Sequence, residues 1–297
     1  MNCDVCSVEL AESDLIDIEG RQVCGSCKPL VVQQLKEGCL PPPLLPLGDH
    51  PVENGGEPLR FGSLMVLTWK MLWQDWRAIL GITLLAAIPV NVLLELAAPI
   101  SPGDELVARE FVRMVKMSSL LETVIGVVAS LGIAYVISER VEGRCAGFGA
   151  ALKHALSRWL PAIGTGLLES IIVGFLTLLL IVPGIIWFVF YTFSICVVSL
   201  RDRSGSRALS YSKQLVAGRW GAVAWRVAGL TFLPIGATVF VGIASAFAPD
   251  EPLLSLLSDI LADLLFAYLV VGVVVLFLNL EAVERKKQAT ASALPEN

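Results

Sequence analysis

Four cysteines stand in the first 27 residues as two Cys-x-x-Cys pairs, Cys3/Cys6 and Cys24/Cys27. A thiolate is a soft anionic donor, and a two-residue spacer sets both sulfurs of a pair on one tight turn, facing one ion. Seventeen residues separate the pairs, enough for a hairpin that folds back and closes a tetrahedron of four thiolates. Zinc is the metal this donor set favours, and rubredoxin-like iron is the alternative. Four thiolates leave no open position for water, so the expected role is structural rather than catalytic.

The elements that must hold these sulfurs are legible between and after the pairs. Leu15-Ile16-Asp17-Ile18 and Arg21-Gln22-Val23 read as short strands around a Glu19-Gly20 turn. Pro29 to Glu37 reads as a helix, with proline near its start and Gly38 past its end. Knuckle, hairpin, knuckle and helix is the order of a treble-clef finger. A segment of about 40 residues buries too little apolar surface to fold alone, so metal binding would supply folding free energy. Cys39 lies beyond the helix and reads as a bystander. The same pair spacing resembles fingers of the GATA type, which bind DNA. Residues 1–39, however, carry Asp4, Glu9, Glu12, Asp14, Asp17, Glu19 and Glu37 against Arg21, Lys28 and Lys36. Such a surface repels phosphate, so no nucleic acid partner is expected and a cytoplasmic protein partner is.

The rest of the chain is of another kind. The apolar fraction is 55% and the charged fraction 16%, against roughly 25% charged in soluble domains. The net charge of −5 also argues against nucleic acid. Met1-Asn2-Cys3-Asp4 has neither a basic nor an apolar signal region, so targeting is expected to fall to the first spanning helix. Seven cysteines offer no even disulfide framework.

Apolar stretches of about the 20 residues needed to cross a bilayer fall at 78–98, 118–138, 160–181, 185–200, 222–247 and 260–280. Val182-Pro183-Gly184 reads as a tight outer turn between the third and fourth. Basic residues cluster on one side of these spans. Arg60, Lys70 and Arg77 precede the first; Arg140, Arg144, Lys153 and Arg158 lie between the second and third. Arg201, Arg203, Arg207, Lys213 and Arg219 lie between the fourth and fifth, and Arg285, Lys286 and Lys287 follow the sixth. The positive-inside rule then puts both termini in the cytoplasm, where thiols stay reduced. The expected plan is a finger at 1–39, a Pro/Gly-rich linker at 40–58, an all-α six-helix transmembrane domain at 59–283 and a cytoplasmic tail at 284–297.

Three segments repeat before spans one, three and five. They run from Phe61-Gly62-Ser63-Leu64 to Asp75-Trp76-Arg77, from Phe148-Gly149-Ala150-Ala151-Leu152 to Arg158-Trp159, and from Ser206-Arg207-Ala208-Leu209 to Arg219-Trp220. Each reads as an amphipathic helix lying in the interface with tryptophan at headgroup depth, so membrane lipids are expected partners. The Ala-Leu helix at 148, the turn Ile181-Val182-Pro183-Gly184 and the stretch Ala208-Leu209-Ser210-Tyr211-Ser212 closing on Gly218-Arg219-Trp220 resemble the six-span bacterial membrane proteins of the YciC type. Those are related to the membrane domain fused to some glycerophosphoryl diester phosphodiesterases. The resemblance spans roughly residues 60–280 and implies an inner-membrane protein of unassigned activity, without the soluble phosphodiesterase domain.

Charges inside the spans are the other candidates for function. Glu169 falls near the middle of the third span, Asp259 and Asp263 at the outer start of the sixth, and Arg226 within two turns of the start of the fifth. Structural pairing of Glu169 and snorkelling of Arg226 are the competing readings. His50 and His154 lie far apart in the chain and no nucleotide-binding loop is present, so no catalytic constellation assembles. The expected function is a non-enzymatic interaction or envelope-associated factor. A transporter or channel using Glu169 and Asp263 is the alternative.

Overall fold

The computed structural model describes residues 14–18, 21–29, 31–32, 59–85, 105–142, 144–246 and 252–292. In the N-terminal segment, strands β1 (Leu15–Ile18) and β2 (Arg21–Cys24) form an antiparallel hairpin. Leu15 pairs with Cys24 and Ile18 with Arg21. Leu15, Val23, Cys24 and Val31 close a small apolar cluster, flanked by Ile18 and Cys27.

The rest is helical: α1 (Phe61–Gln74), α2 (Trp76–Leu85), α3 (Glu105–Val141), α4 (Phe148–Leu179), α5 (Ile181–Tyr191), α6 (Ser194–Arg201), α7 (Ser206–Val216), α8 (Trp220–Ala246) and α9 (Pro252–Ser292). Four stretches among the described residues are long and apolar enough to cross a bilayer: Thr123–Val141, Phe148–Leu179, Ile181–Arg201 and Leu261–Arg285. They correspond to expected spans two, three, four and six. Expected span five coincides with α8. Of expected span one, residues 86–98 lie outside the described set, as do the Glu19-Gly20 turn, Cys39 and the linker at 40–58.

Helix periodicity sorts each helix into a buried and an exposed face. On α1, Leu64, Leu67 and Met71 are fully buried while Val66, Trp69 and Trp73 are exposed, two stripes at the 3.6-residue repeat. The buried stripe packs on α9, where Tyr268 donates a hydrogen bond to Met65 Sδ at 2.8 Å. Phe193 and Phe277, both fully buried, meet with ring centroids 5.9 Å apart.

α4 is different. Only 11% of its span window is buried, against 44–50% for the other three. Leu167, Ile171, Phe175 and Leu178 form an exposed apolar row along it. In a bilayer, that surface needs no further protein cover.

Two boundaries differ from the sequence reading. The amphipathic segment at 148 and the third span form one unbroken helix, with Pro161 inside it. The reversal after it falls at Leu180, whose extended backbone (φ −156°, ψ 125°) separates α4 from α5. Val182-Pro183-Gly184 is instead the first turn of α5, where proline costs little because the first amides of a helix have no partner. Gly184 is there for closeness. A Cβ added to it would stand 2.8 Å from Thr177 Cα and closer still to the Thr177 hydroxyl. Replacing Gly184 with Leu should destabilise the hairpin by about 1–3 kcal/mol through overpacking, seen as a lowered thermal midpoint of the detergent-solubilised protein.

Candidate functional site

The candidate metal centre begins with the knuckle after β2. Cys24 is the last residue of the strand, and the chain turns so that the Cys27 amide donates to the Cys24 carbonyl at 3.1 Å. The Val31 amide donates to the Cys27 carbonyl at 3.1 Å, opening a helical turn on the same residue. Cys24 is buried and Cys27 half-buried, and neither is in a disulfide. The hairpin therefore holds two sulfurs on one short turn, the arrangement half of a tetrahedral thiolate site requires. Cys3 and Cys6 lie outside the described residues. Among the described residues no three His, Cys, Asp or Glu side chains converge as a metal site. Cys24 and Cys27 fit zinc or iron by donor chemistry, and the metal would join them to Cys3 and Cys6. Cys145, between α3 and α4, is disulfide-bonded, a bridge that the odd count of cysteines did not point to.

Most of the arginines that signalled topology are engaged with the protein itself. Arg140 near the end of α3 forms a two-pronged ion pair with Asp75 between α1 and α2, with Nε donating to Oδ2 at 2.7 Å. The two side chains are only 5% and 8% exposed. Arg201 at the end of α6 pairs with Glu281 of α9, 3% exposed, through Nε at 2.8 Å and through Nη2. The Tyr211 hydroxyl on α7 donates to the same carboxylate at 2.6 Å. Arg219 pairs with Glu284. A buried carboxylate left alone is costly, so these pairs fix which helices meet and at what height. Charge counting reached the arginines. It missed Asp75, Glu281 and Glu284, although their place at the span ends, level with the arginines, was a usable signal.

Arg226 does not simply extend to the interface. Its Nε donates to the Leu59 carbonyl at 2.7 Å and its Nη1 to Ala222 at 2.7 Å. The Leu59 amide in turn donates to Asn279 Oδ1 at 3.0 Å. One residue at the entry to the membrane domain is thus held through its backbone by both α8 and α9.

Glu169 is half-buried on α4 and accepts a hydrogen bond from the Ser194 hydroxyl at the start of α6. Asp263 is half-buried on α9 and engaged in contacts of its own. No described hydrogen bond or ion pair joins the two. His154 comes close to a serine: its Nε2 stands 3.0 Å from the Ser199 carbonyl and 3.3 Å from Ser199 Oγ. The Ser199 hydroxyl donates to the Leu131 carbonyl at 3.1 Å, and the imidazole stacks on Tyr135 at 4.3 Å. A ring nitrogen donating to a carbonyl has no lone pair with which to take a serine proton. The cluster ties α3, α4 and α6 together.

Four helical stretches long and apolar enough to cross a bilayer define the class: a helical membrane protein carrying a small β-hairpin with Cys24 and Cys27 at its end. No family model matches this chain, and no curated protein or solved structure matches it.

Asp75→Leu or Arg140→Leu alone should cost about 3–5 kcal/mol, and the double replacement distinctly less than the sum, because each single change strands a buried charge. Equilibrium unfolding of the four proteins closes the cycle. Burial, reinforced by the bond to Glu281, raises the Tyr211 hydroxyl above its ordinary range. A raised folded value means that its stabilisation is complete below about pH 10 and lost as pH rises through the folded value. Tyr211→Phe should therefore lose less stability than the parent protein above about pH 10 in parallel thermal scans.

Proposed function

We propose that this protein is a membrane-anchored docking factor: a zinc-stapled head on a six-span anchor of the bacterial inner membrane, with both termini cytoplasmic. The observation that carries the reading is the Cys24–Cys27 knuckle, built on a hairpin with its own apolar cluster. A four-thiolate shell has no place for a substrate, which leaves the head surface as the working part. Residues 1–39 carry more acidic than basic side chains, so the partner class is a protein presenting basic residues. The membrane domain supports the reading as an anchor, because its buried carboxylates Asp75 and Glu281 pair with arginines and Glu169 takes a hydroxyl.

The metal is tested first. Protein purified under reducing conditions should contain about one zinc per chain by elemental analysis, a single tetrahedral site. Cys24→Ser/Cys27→Ser should lose it and become protease-sensitive in residues 1–39. Partner capture then tests the role: chains with and without residues 1–39, reconstituted alike, should differ by at least one basic protein. Identical captures would remove the docking reading. Solute flux in liposomes that is abolished by Glu169→Gln would replace it with transport.

A further inference from the structure

At the end of α6 a recess of about 180 Å³ opens between α4 and the loop leading to α7. Its polar lining is Ser157 and Arg158 from α4 and Asp202, Arg203 and Ser204 from the loop. Arg158 donates through Nη1 to the Val198 carbonyl at 3.1 Å and to Asp202 Oδ1 at 2.8 Å. Those bonds use one of its three nitrogens, and a guanidinium carries five donors in a fixed plane. Arg203 lies over the Tyr211 ring, 4.9 Å from its centroid. Stacking occupies a guanidinium face and leaves its edge donors available. Ser157 Oγ donates to the His154 carbonyl at 2.7 Å and is committed, whereas Ser204 is exposed at the rim. Two arginines against one aspartate leave the recess with a net positive charge.

Its position selects the ligand. α6 closes the candidate span Ile181–Arg201, so Asp202–Ser204 are the first residues beyond the bilayer core. α4 has 32 residues, or about 48 Å at 1.5 Å each, against a hydrocarbon core of roughly 30 Å. Its first turns therefore extend past the core, and Arg158 is tied to the same level by Asp202. The phosphates of lipid headgroups lie at that depth. Edge donors from two guanidiniums suit the oxygens of a phosphate.

We propose that this recess binds the phosphate of an anionic glycerophospholipid, with Arg158 and Arg203 as the donors and Asp202 as the group that limits affinity. This inference does not depend on the role of the head. A phosphate could also arrive as the free ion, so the experiment separates the two sources. Native mass spectrometry of the detergent-purified full chain, titrated with phosphatidylglycerol, phosphatidylcholine or inorganic phosphate, gives the comparison. The parent protein should retain phosphatidylglycerol over phosphatidylcholine, and millimolar inorganic phosphate should not displace it. Arg158→Gln/Arg203→Gln should weaken retention at least about tenfold, the scale of losing charge-assisted bonds. Asp202→Asn should strengthen it. Asp202 has a positive φ of 53°, a conformation that asparagine shares readily, so this variant keeps the loop and decides the question even if the double arginine variant fails to fold. Unchanged or weaker retention in Asp202→Asn overturns the site. Displacement by inorganic phosphate, or no preference between the two lipids, overturns the lipid assignment.

Discussion

A carboxylate taken out of water must find a cation, and this structure is arranged around that demand at the ends of its helices. Asp75 lies between α1 and α2 and is reached by Arg140 of α3. Glu281 lies on α9 and is reached by Arg201 of α6 and Tyr211 of α7. Apolar packing within a bilayer is poorly directional, since lipid tails are as apolar as leucine. The ion pairs supply what packing lacks. Each is made at one height, so helices far apart in sequence cannot slide past one another without stranding a charge.

Within that frame the helices divide into a core and a periphery. α1, α3, α6 and α9 carry most of the large fully buried side chains, including Leu64, Ile137, Val197 and Phe277, with Ile79 of α2 and Leu230 of α8 among the others. The α4–α5 hairpin is closed by Gly184 against Thr177 and joins this core through Glu169 against Ser194 at the start of α6 and through His154 against Tyr135 and Ser199. Its apolar outer surface is supported by the solvent rather than by protein, which is how a helix with little internal burial can still be stable in a membrane.

The sequence made the local features legible and the pairings not. The hairpin at 15–24 was readable because alternation and a Glu-Gly turn are local signals, and the observed strands end within a residue of the expected ones. Spans two, three, four and six were readable from apolar length alone. The reversal at Leu180 was not, because proline and glycine mark turns and first helical turns alike. The separate interfacial helix before span three was an over-reading: Ala151, Leu152, Ala155 and Leu156 favour helix as much as the span that follows, and Pro161 does not interrupt it. The arginines were visible as charges, but their partners sit 65 and 80 positions away, and one sequence shows at most their shared level, not which carboxylate meets which arginine.

The clamp on Leu59 ties the entry of the membrane domain to its far end. α8 and α9 grip both backbone groups of that residue, with partners that stand 167 and 220 positions further along the chain. A buried backbone group left unpaired costs free energy comparable to a lost hydrogen bond. Leu59 therefore reaches its final place only once both late helices have been made and docked, so the first described residue of this domain is among the last to be fixed.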